Sequence, residues 1–152
     1  MFVEETAEQY VVDAITALQI PGVAKIGRTS HVQIIPDNVR DVAKILPFVG
    51  VGIYGEGWEQ DKSAQGTVQT LAYDMAVFIV VTSRHAVTGA RDAANAIHRQ
   101  IKYALRGHVY TLADGTRAVI RYRGREYQAS EEYPELLVVQ QNYSIQYIDS
   151  NQ

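Results

Sequence analysis

The chain has 152 residues, a net charge of −3 and no cysteine, and 47% of its residues are hydrophobic. This size predicts one domain, 1–152, that buries enough apolar surface to fold without disulfides or metals. The missing cysteines exclude disulfides, thiolate zinc sites and cysteine nucleophiles. No window approaches 18 uninterrupted apolar residues, and the N-terminal residues are acidic where a signal peptide is basic. We therefore expect no membrane segment, and synthesis in the cytosol.

The net charge hides a segregation along the chain. Residues 1–24 and 126–152 carry acidic side chains and no lysine or arginine, whereas residues 84–125 carry nine basic side chains against two aspartates. A basic segment of this kind binds nucleic acid in some proteins, and in others it is neutralised within the fold or by another copy of the chain. The pattern favours neutralisation and leaves nucleic acid as the second interpretation.

The first predicted element is an amphipathic helix. Apolar residues recur every three or four positions from Val3 to Leu18, and Glu4, Glu8 and Asp13 fall outside this apolar face. A Pro-Gly pair follows and ends the helix.

Residues 23–28 and 31–35 have the pattern of two strands that pair with each other. A short helix capped by Asp37 follows them and ends before Pro47.

Residues 47–57, PFVGVGIYGEG, contain three glycines with the spacing of a dinucleotide-binding turn. Such a turn needs a strand before it and an apolar helix after it, and neither flank supplies one. The segment is instead interpreted as a strand, 48–54, in which Gly50 and Gly52 leave one face open to close approach by a helix or another subunit. No cofactor is expected.

The second half of the chain alternates strand and helix patterns. Strict apolar alternation over 71–81 predicts a central strand, and 90–106 has the periodicity of a second main helix. Further strands are predicted at 108–112, 117–123 and 135–148. The order predicts an α+β fold: a mainly antiparallel sheet of four to six strands with two main helices packed on one face.

No arrangement of side chains predicts catalysis or metal binding. The four histidines are scattered, no serine elbow occurs, and the acidic residues lack the spacing of a zinc or calcium site. His98 is interpreted as a packed or surface histidine, and Asp74 as a residue that pairs with an arginine or reaches solvent. The chain is therefore predicted not to be an enzyme, with no catalytic, cofactor-binding or metal-binding residue.

Four arginines near the predicted strand 117–123 share one parity of an extended chain: Arg117, Arg121, Arg123 and Arg125. If the strand stays regular, all four project from one face over about 27 Å. Three interpretations stay open for this face. It is solvated, it forms salt bridges between subunits, or it serves a nucleic-acid-binding module.

Residues 55–67 are predicted to form a polar loop that holds the only tryptophan, Trp58, together with Glu59 and Asp61. Loops of this length without secondary structure are uncommon in compact domains and often functional. Trp58 either folds back onto its own core or anchors a projecting arm in a neighbouring molecule. These three residues and the four arginines are the predicted residues of an interface with another subunit or another protein.

The order of segments resembles a known family. A helix at the N-terminus is followed by LPFVGVGIYGEG, a polar hairpin loop, YDMAVFIVVTSRH, the helix GARDAANAIHRQIKYALRG and a terminal strand ending in YSIQYI. Over nearly the whole chain this is similar to the tail-terminator-like proteins of tailed bacteriophages, particularly the Mu-like tail protein group.

The resemblance implies a small α+β subunit of the virion tail, assembled in the cytoplasm of the bacterial host. It implies a ring, typically a hexamer, that caps the tail tube, stops its polymerisation and joins it to the head or neck. The expected partners are copies of the chain itself, the tail tube protein and a head or neck connector protein, with DNA only in passage through the channel and no membrane. The family offers no catalytic residue, and the alternative function is a nucleic-acid-binding module that uses the basic strand 117–125.

Overall fold

The computed structural model describes residues 4–29, 47–61, 68–82, 87–111, 115, 117–129 and 136–150. The described residues form two helices and six strands. The helices are α1 (Glu4–Ala17) and α2 (Val87–Leu105), and the strands are β1 (Lys25–Arg28), β2 (Phe48–Asp61), β3 (Val68–Thr82), β4 (Val109–Thr111), β5 (Arg117–Ala129) and β6 (Leu136–Ser150).

All six strands belong to one sheet, in the order β1-β2-β3-β6-β5-β4. Neighbouring strands are antiparallel except β1 and β2, which run parallel, so the sheet is mixed and not purely antiparallel. Lys25–Arg28 of β1 pair with residues 48–51 of β2, and the pairing of 23–28 with 31–35 stays a prediction. The predicted strand 31–35 and the predicted helix that begins at Asp37 lie outside the described residues.

Both helices pack on one face of the sheet, called here the helix face. The opposite face is called the outer face. The strand residues of the core alternate along β3 and β6, and they form one buried cluster with the apolar sides of α1 and α2. The helix residues of this cluster include Ala7, Val11, Ile15, Ile97, Ile101 and Leu105.

The central position predicted for residues 71–81 is confirmed, because β3 lies between β2 and β6. Its helix-face residues Met75, Val77 and Ile79 are buried, and on the outer face Ala76 and Val80 are buried as well. A strand with apolar residues on both faces fits only inside a sheet, where neither face nor edge is solvated.

The sheet curves around α1. Glu8 of this helix forms an ion pair with Arg28 of β1, at one end of the strand order. Tyr10, on the same helix, stacks at 4.2 Å between ring centroids on Tyr110 of β4, at the other end of the order, and its hydroxyl lies 2.6 Å from Nε2 of His108. One helix can reach both end strands only if the sheet between them bends.

Glu8 corrects the sequence-based assignment of α1, which left it outside the buried face. Its side chain is 10% exposed and accepts hydrogen bonds from Nε and Nη2 of Arg28 at 3.0 and 2.9 Å and from the backbone N–H of Ile53 at 2.8 Å. The helix also ends at Ala17, and Leu18, predicted to face inward, is 37% exposed.

The predicted loop 55–67 is wrong over its first half, because β2 continues to Asp61. Residues as far as Asp61 pair with β3, with irregularities between Ile53 and Gly55 and between Trp58 and Gln60. Polar composition suggested a loop, but an antiparallel ladder forms from backbone groups and accepts polar side chains where they reach solvent. Residues 62–67 lie outside the described part of the chain.

Gly50 and Gly52 leave room on one face of β2, and among the described residues Thr29 approaches it. A Cβ atom at Gly50 would lie 2.9 Å from Cε1 of Phe48, and one at Gly52 would overlap Oγ1 of Thr29. Thr29 is held there because its N–H donates to the carbonyl of Val51 at 2.9 Å. The close approach therefore comes from the chain that follows β1.

Candidate functional site

A bulge in β5 divides the arginines that sequence parity had grouped together. Tyr122 pairs with Tyr143 of β6, and Gly124 pairs with Asn142, so β5 holds one residue more than its partner at this point. Gly124 has a φ of 129°, a backbone conformation that glycine adopts most readily. One extra residue reverses which face every later side chain occupies.

The prediction that all four arginines project from one face is therefore wrong. Arg117 and Arg121 precede the bulge and lie on the outer face, where Nε of Arg121 donates to Oε1 of Gln146 at 2.8 Å. Arg123 is the bulged residue and lines a shallow outer recess together with Asp74. Arg125 follows the bulge and lies on the helix face, where Nη1 donates to Oδ1 of Asn95 at 2.7 Å.

Arg125 contributes to a groove between α2 and β5 that we call the cationic groove. Its volume is about 340 Å³. It is lined by Asn95, His98, Arg99, Lys102, Tyr103, Tyr122 and Arg125.

The α2 wall of the groove comes from one stripe of the helix. Its polar positions repeat at intervals of three or four residues and so share one side of α2. At 1.5 Å per residue the stripe is about 17 Å long. It consists of Arg91, Asn95, Arg99 and Lys102, and Arg106 lies directly after the end of the helix.

Aromatic rings of β5 support the cations of this stripe. Nζ of Lys102 lies 4.6 Å from the ring centroid of Tyr122, and the guanidinium groups of Arg91 and Arg125 lie 5.3 and 5.2 Å from that of Tyr127. The Tyr127 hydroxyl donates to Oδ1 of Asn95 at 2.9 Å. Ring faces attract cations without neutralising their charge, so these contacts orient the basic groups and keep them charged.

The positive charge of the groove has no acidic counterpart among the described residues. No carboxylate lines it, and none of its basic side chains forms an ion pair within the described part of the chain. Arg91, Arg99, Arg106 and Arg125 are exposed, and Lys102 is half-buried.

A buried polar chain forms the floor of the groove. His98 is 4% exposed, and Nε2 of the fully buried Gln141 donates to its Nδ1 at 2.6 Å and to its carbonyl oxygen at 2.9 Å. Oε1 of Gln141 accepts from the Tyr143 hydroxyl at 2.9 Å. Burial, with the nearby charges of Arg125, Lys102 and Arg99, lowers the pKa of His98 to about 4. His98 is thus neutral near pH 7 and adds no positive charge.

Of the two interpretations of His98, packed or surface, the structure agrees with the packed one, but its partner Gln141 was not predicted. The signal for Gln141 was its parity, since it lies between Val139 and Tyr143 on the inward side of an alternating strand. Asp74 is exposed on the outer face, in agreement with one of the two interpretations made for it.

Three predicted interface residues, Trp58, Glu59 and Asp61, lie on β2 rather than in a loop. Their side chains lie outside the described part of the structure, and their predicted role stays a prediction. Within the described ranges, no group of three or more histidine, aspartate or glutamate side chains is placed to hold a metal ion. No helix in the described segments has the length and apolar character needed to cross a membrane.

No protein-family model matches the chain, and no curated protein is similar to it in sequence. Among solved structures, it is similar to a chain in the virion of a native gene transfer agent particle. The two share 14% sequence identity with a TM-score of 0.56, over 95% of this chain and 92% of that chain. The similarity shows a shared fold across almost the whole molecule. It agrees with the resemblance to phage structural proteins at the level of the fold and does not single out the tail-terminator group.

Proposed function

We propose that this chain is a structural tail-assembly protein of a phage, a prophage or a related particle. Copies of it form a ring, with six as the expected number, that caps the tail tube, stops its polymerisation and provides the joint to the head or neck. The partners are the tube protein and a connector protein, and DNA passes through the central channel.

The observation that carries this proposal is the fold shared with a virion chain over 95% of the present one. Fold alone does not assign function. The segment order quoted from the sequence adds a resemblance to tail terminators in particular, and the cationic groove adds a surface suited to a partner rather than to a reaction.

The strand edges support assembly. β1 pairs only with residues 48–51 of β2, and β4 pairs only with residues 117–119 of β5. Among the described residues, 54–61 of β2 and 121–129 of β5 have no second strand neighbour. Strand edges left open in this way accept a strand from another molecule.

The outer face and the far half of β2 are the proposed contacts with the tube or the neck. Arg117, Arg121 and Arg123 belong to the first of these surfaces, and Trp58, Glu59 and Asp61 to the second. Arg125 is excluded from the outer face by the bulge and belongs to the cationic groove.

Negative-stain microscopy combined with light scattering tests the proposal. We expect ring-shaped particles with a mass several times that of one chain. Added to polymerising tube protein from the same particle, these rings should bind tube ends and shorten the tubes. A protein that stays monomeric at all concentrations and salts, and does not change tube length, would contradict the proposal.

A nucleic-acid-binding module is the second candidate, and the cationic groove is the observation that favours it. Basic and aromatic side chains interleave there as they do on surfaces that bind single strands. The site differs from the predicted strand 117–125, because only Arg125 of that strand's arginines reaches it. Titration with DNA at several salt concentrations tests this candidate, since phosphate contacts make affinity fall steeply as salt rises.

A further inference from the structure

We infer that the cationic groove is the docking site for the acidic helix α1 of a second copy of this chain. The inference rests on the proposed assembly function and names the two surfaces that meet.

The groove has the chemistry of an acceptor for carboxylates. Arg99, Lys102 and Arg125 converge on it from two elements, and the residues that line it include no acid. Like charges held this close repel one another, and an opposing charge relieves that repulsion. Arg125 and Lys102 are held in place by Asn95 and Tyr122, so part of the entropy cost of ordering long side chains is met before a partner arrives.

Helix α1 has the complementary chemistry. Its exposed side carries Glu4, Glu5 and Asp13, and residues 1–24 contain no lysine or arginine. The fourth acid, Glu8, is already committed to Arg28 and to the N–H of Ile53. The exposed acids are therefore the ones that remain available to another molecule.

Within the described residues, one molecule does not bring these surfaces together. No residue of α1 lines the groove, and Glu5 and Asp13 line a separate recess with Arg28 and Tyr110. When the acids of one copy reach the groove of the next copy, the contact is head-to-tail, between two different patches. Contacts of this type close into rings or extend into filaments.

The spacing of the charges fits. From Glu5 to Asp13 the distance along α1 is about 12 Å, and from Arg91 to Arg99 along α2 it is also about 12 Å. Two helices packed side by side can place these groups opposite one another.

Docking of a second copy neutralises more charged side chains than binding of a nucleic acid does. Phosphates would neutralise the groove but leave the α1 carboxylates exposed, and those carboxylates would repel a polyanion. Docking of α1 neutralises both surfaces in one contact.

A charge-swap experiment tests the inference by light scattering at a fixed protein concentration over a series of salt concentrations. The groove variant combines Arg99→Glu with Lys102→Glu, and the helix variant combines Glu5→Lys with Asp13→Lys. The control is Lys25→Glu, a charge reversal at an exposed residue of β1 that belongs to neither surface. A milder variant, Arg99→Gln with Lys102→Gln, and the melting temperature of each protein show whether folding is affected.

The groove variant and the helix variant should each weaken assembly at low salt by about tenfold or more, because attractive pairs become repulsive. Joining the two variants in one chain should restore much of the assembly, and the Lys25→Glu control should assemble like the parent. The parent's assembly should weaken as salt rises.

Two results would overturn the inference while leaving the ring in place: groove variants that assemble like the parent, or a combined variant that shows no recovery. Loss of binding to a labelled 20-nucleotide DNA in the groove variant, with assembly unchanged, would overturn it in favour of nucleic acid. A parent that is monomeric in every condition would contradict the proposed function itself.

Discussion

Two charged regions on the helix face of the sheet differ in whether their charges are paired within the chain. Near β1, the carboxylate of Glu8 is matched by Arg28 and by a backbone N–H, all within hydrogen-bonding distance. Near β5, the basic groups of the cationic groove have aromatic and amide neighbours but no acid among the described residues. The first region is complete within one chain, and the second is not.

This difference separates a structural role from a binding role. Removing a charge from the complete region breaks the ion pair and the hydrogen bonds that hold two largely buried side chains, which is costly to the fold. Removing one from the incomplete region leaves nothing unpaired and relieves repulsion. Stability measurements on single variants can therefore test the distinction directly.

The largest effect is expected for Glu8→Ala. The change removes the two hydrogen bonds from Arg28 and the one from the N–H of Ile53, and should lower the free energy of unfolding by about 3 kcal/mol. Denaturant unfolding measures it. Asp13→Ala removes an exposed acid of the same helix and should cost less than about 0.5 kcal/mol. Equal losses in the two variants would mean that Glu8 is not the structural acid of this helix.

The next effect concerns pH. The pKa of His98 is about 4 in the folded protein, against about 6.5 in an unfolded chain. Between pH 6.5 and pH 4, His98 therefore binds a proton in the unfolded chain but not in the folded protein. Stability is complete above pH 6.5 and falls as pH drops towards 4, by about 3 kcal/mol over the whole window.

Urea unfolding at half-unit intervals from pH 7 to 4.5 measures this loss, with His98→Gln as the comparison. The variant can be less stable at every pH, but its stability should fall less steeply over the window. Parallel curves for the two proteins would show that His98 is not the group responsible. NMR titration of the His98 ring gives the pKa independently.

Much of the fold could be predicted from the sequence, because the long strands and the two helices have strong apolar periodicity. The central position of β3 follows from apolar residues on both faces. The parallel pairing of β1 could not be predicted, because four residues, Lys25–Arg28, carry no information about which distant strand they join. The buried place of Glu8 was missed for a similar reason, since its partner Arg28 lies 20 residues away.

The cationic groove was not predicted because one residue, Arg125, was assigned to the wrong face of the sheet. Counting parity through Gly124 put Arg125 with Arg117 and Arg121, although an isolated glycine within a strand pattern is a recognised sign of a bulge. The basic stripe of α2 was visible in the sequence. Of the strand side chains that complete the groove, Arg125 was assigned to the wrong face.

Gly124→Ala tests whether the bulge in β5 fixes Arg125 in the cationic groove. Gly124 has a φ of 129°, which is strained for any residue with a Cβ atom, so we expect a loss of about 1–2 kcal/mol. Gly27→Ala is the control, because a Cβ there meets no atom within 4 Å and its φ is not in the strained range. Thermal unfolding of both variants measures the difference. A neutral Gly124→Ala would indicate that the bulge shifts easily and does not fix Arg125 on the helix face.

The smallest expected effect on the free energy of unfolding is that of Arg99→Gln, and its sign is opposite to that of Glu8→Ala. Arg99→Gln removes one exposed cation from a cluster without acids. It should raise the free energy of unfolding of the monomer by a few tenths of a kcal/mol at low salt. The gain should disappear at about 0.5 M salt, where the screening length is only a few ångströms. Measurement needs dilute protein, so that assembly does not contribute. If Arg99→Gln instead destabilises the monomer at low salt, Arg99 has an acidic partner within its own chain, and the groove is as self-contained as the Glu8 region.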